Sequence, residues 1–112
     1  MSTAAAQHPS DSWEGIIATG IDPTSWAYAE DYTGEDEVVT GARASAMDSG
    51  IVPLGPGAAA ALSLLAAGVS AKAVVEIGTG TGVSGLALLR GMRAEGTLTT
   101  VDIDAENQRL AR

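Results

Sequence analysis

Apolar residues recur at helical spacing up to Gly68 and gather into short unbroken runs from Ala73 onward. Trp13 to Gly20 carries no decisive pattern. Pro23 or Thr24 opens a short helical stretch, Ser25 to Tyr32, closed by Gly34. Glu35 to Met47 is predicted as a second helix. Val38, Val39, Ala42 and Ala46 lie at helical spacing, and Glu35, Asp36 and Glu37 fall in the first turn, where acids suit the macrodipole. Asp48-Ser49-Gly50 stops it. Ile51 to Gly57 holds two prolines and two glycines and is a loop with a defined path. Ala58 to Ala67 favours helix strongly, with Gly68 as a natural residue just past its end. Leu62, Leu64 and Leu65 make it apolar nearly all round, which predicts burial against a sheet. Ala73 to Ile77 reads as a buried parallel strand, Val83 to Met92 as a helix, and Leu98 to Ile103 as a second strand. Asp104 is placed to cap a last helix that runs to Arg112.

Between the first strand and its helix lies Gly78-Thr79-Gly80-Thr81-Gly82. Glycines at alternate positions let the chain turn tightly and let a ligand lie against bare backbone. The following helix turns its N-terminus toward that ligand. Strand, glycine turn and helix make the first half of a nucleotide-binding βαβ unit. Gly80, Gly82 and Gly85 also satisfy the dinucleotide pattern G-x-G-x-x-G, so the glycines alone do not separate the two readings, nor exclude a turn without a ligand.

Three polar residues narrow the choice. Glu76 interrupts an apolar strand near its C-terminal end, where ligands of open α/β sheets bind. A buried carboxylate there needs partners: backbone N–H groups in a structural role, or the polar end of a ligand. Asp102 follows Gly82 at the end of the second strand, where an acid can accept the hydroxyls of a ribose; the bland alternative is a partner for the next helix. Asp104 suits that second role better. Ser84, in the first helical turn, can cap the helix or bind a ligand carboxylate.

Composition trims the possibilities. The chain has 112 residues, 46% hydrophobic, with two Trp, two Tyr and no Phe, so its core must be aliphatic and Ala-rich. Without cysteine, disulfides and thiolate metal sites are excluded. No apolar run reaches the ~18 residues of a membrane span, and Met1 to Ser12 lacks the basic start and apolar middle of a signal peptide, so a cytoplasmic protein is expected. The net charge of −8 is concentrated between Asp11 and Asp48, where Arg43 is the one base. Such a surface has little long-range attraction for nucleic acid or anionic membrane. It reads as a solvated helical face, or as a docking face for a basic partner. His8 lies in a polar tail and is a poor catalytic base.

The stretch from Val52 to Arg112 resembles class I S-adenosylmethionine-dependent methyltransferases. The likeness is nearest to the caffeoyl-CoA/catechol O-methyltransferase-like family and its small actinobacterial members. Glu76-Ile77-Gly78-Thr79-Gly80-Thr81-Gly82-Val83-Ser84 matches the first motif of that family and Thr99-Thr100-Val101-Asp102-Ile103 the second. The resemblance implies an α/β fold: N-terminal helices, then the first β-α-β unit of a Rossmann-like methyltransferase. On that basis residues 1–12 form a disordered tail, 13–50 a helical cover and 51–112 the first part of the S-adenosylmethionine-binding domain.

By position, the resemblance implies that Gly78 and Thr79 offer backbone to the methionine part of the cofactor and Ser84 binds its carboxylate. Glu76 lies beside the methionine end, Asp102 holds the ribose, and Ile103 lies against the adenine. Leu54 corresponds to a residue whose backbone contacts the cofactor. It further implies methyl transfer to a small-molecule hydroxyl, a homo-oligomer, and a cover or interface lined by Trp13, Trp26, Tyr28 and Tyr32. Family members run to about twice this length. The expectation is therefore a truncated, inactive cofactor-binding part. The catalytic groups, and the ligands of any divalent cation, would lie outside these residues. Two other classes remain open on the residues alone: an NAD(P)-linked oxidoreductase fragment, and a non-catalytic acidic interaction module.

Overall fold

The computed structural model describes Gly20 and residues 22–112. The expected tail 1–12, His8 and Trp13 lie outside the described residues. Among the described residues, five helices and two strands follow in order: α1 (Pro23–Tyr32), α2 (Glu37–Asp48), α3 (Pro56–Gly68), β1 (Ala73–Ile77), α4 (Val83–Gly91), β2 (Thr97–Val101) and α5 (Ala105–Leu110). The fold is α/β, helices leading into one β-α-β unit, as the sequence predicts.

Local chemistry sets most of the boundaries. Asp22 accepts the Thr24 N–H at 3.1 Å and Pro23 occupies the first turn of α1. Asp36 accepts the Val38 and Val39 N–H groups at 3.0 and 3.1 Å, so it caps α2 rather than lying inside it. That shifts the predicted helix start from Glu35 to Glu37. Gly50, in the left-handed region at φ +68°, closes the end of α2. The end of α3 departs from expectation: Gly68 is its last helical residue, and the left-handed position falls on Ser70 at φ +50°. Asp104 caps α5 through the Glu106 N–H at 2.9 Å, as predicted.

β1 and β2 pair in parallel, Ala73 opposite Thr97 through Ile77 opposite Val101. Their alternate residues divide cleanly. Val74, Glu76, Leu98 and Thr100 are half-buried under α4. Ala73, Val75, Ile77, Thr97, Thr99 and Val101 face outward, with Ile77 82% exposed. β2 stops at Val101, so Ile103 lies beyond the strand and is fully exposed.

The core lies between helices. Val39, Ala46, Ala59, Ala66, Val83, Ala87 and Met92 are its buried apolar residues. Small side chains let α3 and α4 approach closely. A Cβ on Gly91 would lie 2.8 Å from the Ser63 carbonyl carbon and closer still to its oxygen. The Ser63 hydroxyl donates to the Ala87 carbonyl at 2.7 Å across the same contact. α3 thus packs on α4 and α1, not on the sheet, and Leu64 and Leu65 remain exposed. An all-apolar circumference does not say which neighbour a helix chooses.

Two acids of the N-terminal segment reach later helices. Glu30 accepts the Gly57 N–H at 3.0 Å and so caps α3 from α1. Asp36 also pairs with Arg90 of α4. Asp36 remains exposed, as a solvated face expects, while Glu30 is half-buried against α3. Trp26, Tyr28 and Tyr32 are exposed, with the two tyrosine rings 5.6 Å apart.

Candidate functional site

The glycine turn takes the shape its composition allows. Gly78, Gly80 and Gly82 all have positive φ, at +95°, +52° and +93°. A side chain at any of them would be strained. The two threonines between them are buried and anchor the turn. Thr79 and Thr100 share a hydrogen bond between their hydroxyls at 2.8 Å, and the Thr81 hydroxyl donates to the Ala42 carbonyl at 2.8 Å. The Gly78 N–H donates to the Val101 carbonyl at 2.7 Å and extends the ladder into the turn.

A cleft of about 260 Å³ opens beside this turn. One lip is the loop from Ile51 to Leu54, the other runs from Gly78 to Thr81, and Val83 and Ser84 form its floor. Leu54, Gly78, Thr79 and Ser84 therefore meet in one place. A cavity of about 290 Å³ adjoins through Val83, between α3, α4 and the α1–α2 connection. Its walls mix small aliphatic residues with Thr33, Glu35, Ser63 and Arg90; the Ser63 hydroxyl is bonded to backbone, and the buried Thr33 hydroxyl has no partner.

Glu76 and Ser84 stand together: the Ser84 hydroxyl donates to Glu76 Oε1. Ser84 neither caps α4, whose N-cap is Gly82, nor stands free for a ligand. Glu76 Oε2 is buried with no hydrogen-bond partner. A buried acceptor left unpaired is costly, and a donor brought to it would be stabilised.

Asp102 sits at the far end of the turn. Its Oδ2 accepts the Gly80 N–H at 3.0 Å and Asn107 Nδ2 at 3.2 Å, and its Oδ1 accepts the Asp104 N–H at 2.9 Å. The Asp104 N–H first, then that of Gly80, hold its carboxyl below the ordinary value, so it is a carboxylate at neutral pH. Asp102 thus serves the following helix and the glycine turn together. The Thr79 backbone N–H adds to the same stabilisation, so the carboxylate is held from the glycine turn and from the last helix together. Glu76, Asp102 and Ile103 lie outside the lining of the cleft, and Glu76 instead lines a separate hollow with Gly85, Leu98 and Thr100.

Arg43, Thr81 and Asn107 hold this site and escaped the sequence reading. Only Arg43 carried a signal, as the lone base in an acidic stretch. Among the described residues, no three His, Cys, Asp or Glu side chains gather as a metal-binding group.

The family model described as O-methyltransferase matches residues 25–112. The chain belongs to the O-methyltransferase family. It is 52% identical over 108 residues to a protein of Mycobacterium sp. (strain KMS) named as an O-methyltransferase, covering 96% of this chain and 44% of that one. Among solved structures, the O-methyltransferase TomG from Streptomyces achromogenes in complex with SAM superposes with a TM-score of 0.71 at 23% identity, covering 80% of this chain and 41% of TomG. The O-methyltransferase from Bacillus cereus in complex with SAH gives a TM-score of 0.71 at 21% identity, with the same coverage. These likenesses show a Rossmann-like methyltransferase fold. The chain spans less than half the length of the curated relatives it matches. Neither the oxidoreductase nor the interaction-module reading finds support in these comparisons.

Proposed function

We propose that this chain is the S-adenosylmethionine-binding part of an O-methyltransferase that modifies a hydroxyl of a small molecule. The observation that carries the reading is the meeting of Leu54, Gly78, Thr79 and Ser84 on one cleft, with the Asp102 carboxylate tied to the same glycine turn. The fit is partial and specific. Pockets for whole ligands run to roughly 300–1,000 Å³, so a cleft of about 260 Å³ suits one end of the cofactor. The three positive-φ glycines bare the backbone there.

S-adenosylmethionine, when bound, supplies a methyl group on a sulfonium. This chain's residues bind and orient. Gly78 and Thr79 offer backbone to the methionine part, and the Ser84 hydroxyl turns from Glu76 to the ligand carboxylate. Glu76 stands beside the methionine end through its contact with Ser84, its Oε2 lying under α4 near Gly85. Asp102 takes a ribose hydroxyl by releasing Asn107, its longest contact. Ile103, fully exposed, gives the adenine an apolar surface. Residues 13–50 act as a cover, the active form is a homo-oligomer, and the location is cytoplasmic. Any divalent cation takes its ligands from beyond these residues, as do the catalytic groups.

Titration with S-adenosylhomocysteine and with NAD tests the reading. Binding of the first, lost in Asp102→Ala, is expected; tight NAD binding with no response to S-adenosylhomocysteine would reverse it. Full methyl transfer by these 112 residues would refute the view that the chemistry lies elsewhere. A compact monomer by light scattering would remove the oligomer.

A further inference from the structure

Helix α2 holds both lips of the cleft through adjacent residues. The Ala42 carbonyl takes the Thr81 hydroxyl on the glycine lip, while Arg43 Nη1 donates to the Leu54 carbonyl at 2.6 Å on the opposite lip. Arg43 is itself fixed: Nε and Nη2 donate to the two carboxylate oxygens of Glu35 at 2.5 and 2.7 Å. The two side chains are only 19% and 16% exposed. A two-pronged guanidinium–carboxylate pair locks the plane of the guanidinium, which a lysine ammonium cannot reproduce. The Glu35 hydrogen bond holds its carboxyl below the ordinary value and raises Arg43, so both remain charged.

The Leu54 lip needs this tie. Val52 to Gly55 belongs to no helix or strand. The Ile51 N–H is held at one end by the Ala46 carbonyl at 2.8 Å, and the Leu54 carbonyl at the other end by Arg43. We propose that Arg43, locked by Glu35, is a positioning residue that sets the width of the cofactor cleft at the amino-acid end of the ligand. The end is assigned by company. Leu54 shares its cleft with Gly78, Thr79 and Ser84, whereas Asp102 and Ile103 stand outside it and Glu76 reaches it only through its bond from Ser84. This inference rests on the cofactor reading above.

The test is a nitrogen-15 NMR titration of the whole chain with S-adenosylhomocysteine and with 5′-methylthioadenosine, which keeps the nucleoside thioether but lacks the amino-acid group. Arg43→Lys is expected to weaken S-adenosylhomocysteine about tenfold, the scale of one hydrogen bond to a charged group. The thioether nucleoside should change less than about twofold, within the noise of a lost rim contact. Glu35→Gln, which keeps an acceptor but not the charge, should fall between wild type and Arg43→Lys. Equal losses for both ligands, or unchanged affinity for S-adenosylhomocysteine, would overturn the proposal. If the wild-type chain responds to neither ligand, the cofactor reading fails. Backbone relaxation at Val52, Leu54 and Gly55 then decides the tie alone. Increased motion there in Arg43→Lys, with α3 unchanged, supports it, and unchanged order refutes it. Should Arg43→Lys not fold, Glu35→Gln carries the same two readouts.

Discussion

The two faces of the β1–β2 sheet differ although their residues come from the same ten positions. Under α4, Gly85 lets the helix sit down on Leu98 and Glu76, with a Cβ there only 3.2 Å from the Leu98 side chain. On the other side Val75 and Ile77 are 69% and 82% exposed. Strands exposed on one face usually alternate apolar with polar residues, but β1 reads Ala-Val-Val-Glu-Ile. Its sequence is written for burial on both faces, and the one polar residue points inward, toward the helix that carries the site. The lesson is that Glu76 is not the solvent side of an amphipathic strand. Under α4 it meets the Ser84 hydroxyl, a polar contact inside an otherwise apolar layer.

That contrast can be broken from either side. The largest effect is expected on the helical side. Gly91→Val would drive a side chain into the Ser63 backbone and the Ala66 methyl, and should cost about 3 kcal/mol by overpacking. An unchanged thermal midpoint would mean that α3 and α4 are not held that close.

At the junction of the two faces, Gly80→Ala meets no close atom but would force a left-handed residue at φ +52°. About 1–2 kcal/mol of destabilisation is expected in urea denaturation. A cost near zero would show the turn relaxing to another shape.

Asp102 adds a dependence on acidity. A carboxyl depressed in the folded state stabilises the fold above its unfolded value and loses that contribution as pH falls through the folded one. Asp102→Asn should therefore lower stability at neutral pH. Its deficit should shrink as the pH drops below the ordinary value of 3.8. A deficit equal at pH 7 and at the acid end of the denaturation series would contradict the role of the Asp104 and Gly80 N–H groups.

The smallest effect belongs to the bare face. Val75→Thr, β-branched and outward-pointing, should move stability by less than about 0.5 kcal/mol. The same change should reduce self-association in sedimentation, because the patch loses apolar area. A large loss of stability would mean that this face is covered in solution by something beyond the described residues.

Much of this arrangement was legible because it is local. The β1 bounds, the capping by Asp104 and the glycine turn depend on neighbours a few residues apart. Bounds slipped at Glu35, where Asp36 takes the cap, at both ends of α3, which takes in Pro56, Gly57 and Gly68, and at Ile103, where the paired strand ends at Val101. What stayed hidden was long-range choice. Glu30 meets the Gly57 N–H across 27 positions, and the Thr81 hydroxyl meets Ala42 across 39. No propensity encodes such a partner. The same holds for Ser84, whose sequence position allowed a cap or a ligand and gave no sign of its bond to Glu76.

Parallel pairing also dictates an order of assembly. An antiparallel pair can zip outward from a tight turn, but a parallel pair cannot start until its crossover has brought the second strand back. Thr79 and Thr100, which meet at the end of the ladder, are 21 residues apart along the chain. Drawing them together costs closure entropy that no ladder bond has yet offset. α4 shortens that journey by coiling most of the intervening chain. Helix should therefore come before sheet, and the glycine turn should take its final shape only as the two strands dock. Stopped-flow refolding in which strand amides gain protection before α4 would contradict that sequence of events.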